Sequence, residues 1–329
     1  MQIIFLDSHH LPTLPPLALT IGNYDGVHLG HQALLSALAD DAKAMGLLPA
    51  VMVFEPQPRE YFSPDNPPAR LTNLTEKAEQ IMRLGVQYLI VASFDDAFRS
   101  LSAAAFVDLL RSLNVSHLVL GDDFRFGQDR VGDKAFLQAA GFSVDNLPSI
   151  TQNGVRISSS LVRQALAVGD LNSAKSMLGR SYGITGVVEH GDKIGRTLDF
   201  PTANVSLGRL KPALHGIFAA DVIAYQNGVR LDWASLGQGG VMGLKQDSLF
   251  GAVSIGLRPS VGGKQWRLEV HLPDFNGELY GVTLWIVFTH FLHGERYYDG
   301  VDALKAGITN DVAALLAWRD DQGHSCFIE

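Results

Sequence analysis

The stretch LALTIGNYDGVHLGH, residues 17–31, decides the fold of the first half of the chain. Leu17, Ala18, Leu19, Thr20 and Ile21 run without polar alternation, the pattern of a short strand covered on both faces, as in a parallel sheet. Gly22, Asn23, Asp25 and Gly26 then supply turn chemistry, and Leu34, Leu35 and Leu38 return at helical spacing. A buried strand that passes through a glycine turn into a helix belongs to an open α/β sheet.

Working outward, short apolar runs and helical patterns alternate up to residue 147. Strands are expected at 17–22, 49–54, 88–92, 117–121 and 142–147, with helical segments at 31–45, 75–84 and 102–113 between them. The proline-rich segment 64–68 reads as a loop and a candidate flap. Residues 159–178 continue as helix, and after Gly179 the texture changes: glycines multiply and β-branched runs appear at 184–189, 217–223, 252–255 and 266–272. Leu304, Ile308, Leu315 and Trp318 give segment 301–318 the apolar stripe of a helix packed on a β-structure. Two domains are therefore expected, 1–179 and 180–329.

Composition bounds the function. Apolar residues make up 47% and charged residues 18% of the 329, which is ordinary globular usage. A formal charge of −8 offers no general attraction to nucleic acid or anionic lipid, so any phosphate must be held by a local site. The only cysteine, Cys326, can build neither an internal disulfide nor a cysteine zinc site. The N-terminal residues lack the pattern of a secretory signal, and no apolar run reaches about 18 residues. A cytoplasmic protein without membrane or nucleic-acid partners is expected, its oligomeric state left open.

Two histidines bracket Gly30 where the first strand gives way to its helix. Ligands of open α/β sheets bind at the carboxyl ends of strands, where helix N–H groups face phosphate. Gly30 lets backbone approach a phosphate, and His28 and His31 carry donors able to neutralise charge growing on a pentacoordinate phosphorus. Farther on, Ser158, Ser159 and Ser160 open another helix, with Arg163 one turn later. Alone this reads as an N-cap; beside the histidine motif it reads as a second phosphate contact.

GNYDGVHLGH, FEPQP (54–58), GDDFRFG (121–127) and ISSSLVRQAL together resemble the adenylyltransferase half of bacterial bifunctional riboflavin kinase/FAD synthetases, over nearly all of 17–178. The resemblance implies a Rossmann-like nucleotidyltransferase domain in which His28 and His31 stabilise the transition state as FMN attacks the α-phosphorus of ATP. It further implies that Gly22, Asn23 and Asp25 lie near the nucleotide and Ser159 and Arg163 near its phosphates. Asp123, Phe124 and Arg125 would face the flavin, with Pro56 and Pro58 on the pocket wall. Gln57 departs from the histidine usual there.

In the second half, Gly191 and Gly195 flank a turn that leads to Pro201, Thr202, Ala203 and Asn204. Two short oxygen-bearing side chains after a rigid proline could hold magnesium against ATP phosphates, or could be plain turn residues. Glu269 sits in a β run; facing inward it would be a base, facing outward a solvated strand residue, and alternation alone does not assign the face. Together PTAN (201–204), IGLRP (255–259) and the run from Glu269 to Gly281 resemble the riboflavin kinase module of the same family. That resemblance implies a Greek-key β-barrel with a terminal helix, Gly195 near ATP, Thr202 and Asn204 binding Mg2+ and ATP, and Glu269 taking the proton of the ribityl 5′-hydroxyl. Asp199, Ser260 and His293 depart from the family pattern, and 233–250 reads as an insertion between barrel strands. The expected function is phosphorylation of riboflavin to FMN followed by adenylylation to FAD. The alternatives are an adenylyltransferase with a weakened kinase module and a non-catalytic flavin-binding protein.

Overall fold

Strand β2 (Leu17–Ile21) is buried along its whole length, and the first unit is built outward from it. In the computed structural model, which describes residues 1–6, 12–152, 154–191, 200–236, 248–260 and 263–322, six parallel strands make one sheet. They are β1 (Gln2–Leu6), β2, β3 (Leu48–Glu55), β4 (Tyr88–Ser93), β5 (Val115–Gly121) and β6 (Ser143–Leu147), in the order β1-β4-β3-β2-β5-β6. Helices α1 (Leu29–Met45), α2 (Pro58–Phe62), α3 (Leu74–Met82), α4 (Asp96–Arg99), α5 (Ala103–Ser112) and α6 (Lys134–Ala139) connect them. Alternate strand residues enter opposite cores: Leu17, Leu19 and Met52 pack with Phe106 and Leu110, whereas Ala18, Val51 and Val53 pack with Leu35, Leu38 and Ile81. A sheet covered on both faces is what apolar runs without alternation specify.

Beside β2 stand β3, β4 and β1 on one side and β5 and β6 on the other, and after β2 the chain builds first β3 and β4 and then β5 and β6. The sheet thus has its switch point between β2 and β5, where open α/β folds place ligands. The five strands expected from the sequence are all present. Edge strand β1 is not among the expected strands, although Ile3, Ile4, Phe5 and Leu6 form an apolar run; at the sheet edge Ile3 and Phe5 are exposed. A small hairpin, β7 (Thr151–Gln152) and β8 (Val155–Arg156), precedes the serines.

Contacts divide the chain into Met1–Pro68 with Thr72–Ser159, and Ala69–Leu71 with Ser160–Glu329. The second unit takes in most of α7 (Ser159–Ala167) and all of α8 (Leu171–Leu178), which the sequence reads as one helix. The helix breaks because Gly169 turns left-handed (φ +76°) and Asp170 caps α8, its carboxylate accepting the Ser173 N–H at 2.9 Å.

The remainder is an antiparallel barrel of β9 (Gly183–Glu189), β10 (Thr202–Val205), β11 (Gly216–Gln226), β13 (Leu249–Ser260), β14 (Gly263–His271) and β15 (Thr283–His293), with β12 (Val229–Arg230) appended to β11. Pairing of β11 with β15 closes the order β11-β13-β14-β10-β9-β15 into a ring. Ile184, Phe218, Val253, Leu268, Val270 and Ile286 fill its interior. The terminal helix Val301–Asp321 lies outside, setting Leu315 against Ala219, Phe250 and Ala252. At the ends of the segment 233–250, read from the sequence as an insertion, Trp233 is buried edge-on to Phe275, and Leu249 and Phe250 belong to β13. Between these ends, residues 237–247 lie outside the described residues, as do Gly195, Asp199 and Cys326.

Candidate functional site

Three of the four sequence motifs of the first half follow the carboxyl ends of β3, β2 and β5, which are neighbours in the sheet. The loop after β2 is strained. Tyr24, Gly26 and Val27 have φ of 48°, 82° and 41°, and a β-branched residue in that region persists only where its surroundings force it. Here the forcing groups are visible. Val27 is buried beside Leu35 and Leu38, and its carbonyl accepts from Gln32 Nε2 at 2.9 Å. Thr72 holds the turn from outside: its Oγ1 accepts the Gly26 N–H at 3.0 Å, while Asp25 Oδ1 accepts the Thr72 N–H at 3.0 Å and its hydroxyl at 3.3 Å. The Tyr24 hydroxyl meets Thr20 Oγ1 at 2.6 Å, and burial pushes this phenol well above its usual range.

That turn delivers His28 as the N-cap of α1, where its Nδ1 accepts the His31 N–H at 3.3 Å. The rings of His28 and His31 stack with centroids 3.7 Å apart and planes at 15°, and Tyr24 lies 4.9 Å from His31. Because Nδ1 of His28 is an acceptor, the neutral ring carries its proton on Nε2. Gly22 and Asn23 sit half-buried at the end of β2, and Gly30 lies in the first turn of α1. Asp25 is 2% exposed and its carboxylate is turned to Thr72. The Ser159 hydroxyl donates to the Asp25 carbonyl at 2.9 Å, and in the second unit Arg163 Nε donates to the Ala69 carbonyl at 2.6 Å.

After β3, Pro56 is exposed and Pro58 opens α2. Gln57 is buried with its side-chain amide nitrogen unpartnered among the described residues. After β5, Phe124 stacks on Phe126 at 5.8 Å, Asp123 pairs with Arg156 at 3.2 Å, and exposed Arg125 donates to the Phe124 carbonyl. Neighbouring Asp122 accepts from the Asn146 side chain and the Ser149 N–H, which hold its carboxyl below the usual range.

In the second unit the face that the sequence leaves open is assigned. Leu268 and Val270 point into the barrel, so Glu269 and Arg267 point out, as Thr202 and Asn204 do beside Ala203 and Val205, and Ser254 beside Val253 and Ile255. Register sets Asn204 opposite Glu269, and Glu269 opposite Ser254, in one row across β10, β14 and β13. The row opens on a cavity of about 360 Å³ whose far wall includes Leu304 and Ile308 of the terminal helix. Gly191 makes room for the row: a Cβ there would fall 2.1 Å from Asn204 Nδ2. His293, which also lines the cavity, ties β15 to the terminal helix through Nε2 and Asp311 Oδ1 at 2.8 Å. Ser260 closes β13 against Gly263.

Sequence reasoning passed over Thr72, Ser254 and Asp311. Thr72 lies 47 residues from Asp25, and nothing local marks it; Ser254 becomes visible only once strand register is known.

Two family models divide the chain: one described as FAD synthetase matches residues 11–161, and one described as riboflavin kinase matches residues 178–318. The bifunctional riboflavin kinase/FMN adenylyltransferase of Escherichia coli K12 is 42% identical over 311 residues, covering 92% of this chain and 93% of that protein. Its counterpart in Pseudomonas fluorescens is 42% identical over 312 residues, covering 93% and 94%. A solved structure of a macrolide-efflux protein from Streptococcus pneumoniae superposes with a TM-score of 0.73 at 25% identity, over 96% of this chain and 99% of that one. Among the described residues no helix is long and apolar enough to cross a membrane.

Proposed function

We infer how the residues share the work from one premise: the chain belongs to the bifunctional riboflavin kinase/FMN adenylyltransferase family, and it phosphorylates riboflavin to FMN and adenylylates FMN to FAD. We set the functional border at 179/180, with adenylylation before it and phosphorylation after it.

For adenylylation, the N-terminus of α1 receives the ATP phosphates. As an FMN phosphate oxygen attacks the α-phosphorus and pyrophosphate leaves, negative charge grows on the non-bridging oxygens. His28 and His31 donate to it, and Gly22, Asn23 and Gly30 let backbone come close. Asp25 works by holding the turn through Thr72 rather than by touching phosphate. Ser159, fixed on the Asp25 carbonyl, adds a further phosphate contact. The isoalloxazine lies toward Pro56, Pro58, Asp123, Phe124 and Arg125, where the half-buried Phe124 offers an aromatic face.

For phosphorylation, Glu269 takes the proton of the ribityl 5′-hydroxyl as that oxygen attacks the γ-phosphorus. Asn204 and Ser254 stand opposite Glu269 on its two neighbouring strands, which fix its position through the sheet register. Thr202 and Asn204, two apart on one strand face, present hard oxygen donors that suit Mg2+. When bound, the ion neutralises phosphate charge. Both steps consume ATP, which fits a cytoplasmic enzyme whose partners are small molecules.

The stacked imidazoles at the switch point of the sheet carry this reading. Protein given riboflavin, ATP and magnesium should yield FMN and then FAD by chromatography. FMN without FAD would remove the adenylylation roles, and FAD formed only from supplied FMN would remove the kinase roles.

A further inference from the structure

His117 lies on β5, four residues before Gly121, and therefore about 13 Å along the strand from the loops just described. It is 1% exposed. Its Nδ1 stands 3.0 Å from Ser143 Oγ on β6. Its Nε2 is buried without a hydrogen-bond partner among the described residues, yet it faces Asp41 Oδ2 of α1 at 3.6 Å and Asp145 Oδ2 of β6 at 3.8 Å. A ligand atom from each of the three residues lies within 4.8 Å of the others.

Those separations discriminate between an ion pair and a metal site. A charge-assisted N–H···O bond closes to about 2.7–2.9 Å, well short of what is seen. Ligand atoms held at about 2.0–2.2 Å from a tetrahedral zinc stand roughly 3.3–3.6 Å from each other, and Nε2 lies 3.6 and 3.8 Å from the two carboxylate oxygens. With Nδ1–H donating to Ser143, the lone pair of Nε2 points at the carboxylates, which is the tautomer a metal ligand needs. Two carboxylates balance a 2+ charge, and an imidazole in the set favours zinc over magnesium or calcium.

We propose that Asp41, His117 and Asp145 form a divalent transition-metal site, best suited to zinc, that pins α1 to β5 and β6. Water completes the coordination on the open side, where the Asp145 side chain is 66% exposed. Since α1 begins at the stacked imidazoles, an ion gripping Asp41 fixes the far end of the helix that presents them.

The full-length chain, stripped of metal with a chelator, is titrated with zinc alone by calorimetry and thermal melting. One zinc per chain should bind and raise Tm, and Asp145→Ala should weaken binding at least about tenfold. Its exposure makes that variant safe for folding, and Asp41→Asn provides a second. His28→Asn should leave the zinc event unchanged, and magnesium or calcium should not reproduce it. Zinc binding that survives both Asp145→Ala and Asp41→Asn, that vanishes in His28→Asn, or that fails to occur in the wild type overturns the proposal.

Discussion

In the first unit the reactive histidines hang from a turn whose Tyr24, Gly26 and Val27 are all left-handed. In the second, Asn204, Glu269 and Ser254 stand in a row because β10, β14 and β13 pair in register. The strained turn aims His28 at a helix axis, a direction no regular strand supplies, and needs Thr72 and a buried Val27 to hold it. Strand pairing fixes the other row through backbone hydrogen bonds, so each side chain contributes little to the position of the next. One site is therefore sensitive to single residues far from the chemistry, and the other mainly to the residues within it.

The largest effects test whether the sites are separable. Glu269→Gln should lower FMN formation by about 10²–10⁴ while FMN supplied to the variant is still converted to FAD. His28→Asn or His31→Asn should lower FAD formation by roughly 10²–10³ and spare FMN. Equal loss of both products in any of these variants would break the comparison.

Backbone changes of intermediate size sharpen it. Gly26→Ala adds a Cβ at φ 82°, which costs about 1–2 kcal/mol; FAD formation should fall about tenfold with FMN formation unchanged. Gly191→Ala should push Asn204 aside, because its Cβ would fall 2.1 Å from Nδ2, and raise the KM for ATP in the kinase step several-fold. A Gly26→Ala enzyme with normal FAD kinetics would show that the turn tolerates what its geometry forbids.

Much of this was legible in the sequence, and the exceptions have physical causes. Apolar runs disclose β2 through β5 because these central strands are buried on both faces, whereas the edge strands do not follow that rule: β6 is largely exposed and polar, and in β1 the apolar Ile3 and Phe5 are exposed. Strand β10 has only four residues, Thr202–Val205, too few for a period to declare itself. His28 and His31 were readable from local spacing, as was the helix start at Ser159. The face of Glu269 is not, since a one-residue shift of register reverses every side chain and only the burial of Leu268 and Val270 on either side of it settles which way it points. Thr72 and Asp311 act through tertiary contacts with no local trace.

The smallest predicted effect falls on the break between α7 and α8, close to the functional border. Asp170 caps α8 by accepting the Ser173 N–H, and its carboxyl lies below the usual range, first through the hydrogen bond with the Ser173 side chain and then through that N–H. Asp170→Ala should cost about 1 kcal/mol at neutral pH, as loss of an N-cap does. Because the folded-state pKa is depressed, the contribution is present above the unfolded value of about 3.9 and is lost as pH falls through the folded one. The Tm difference between wild type and variant should thus be constant near neutrality and shrink below about pH 4. Neither strained turn nor strand register is touched, so both activities at 25 °C should match wild type; a selective loss of either would mean that α8 positions that site directly.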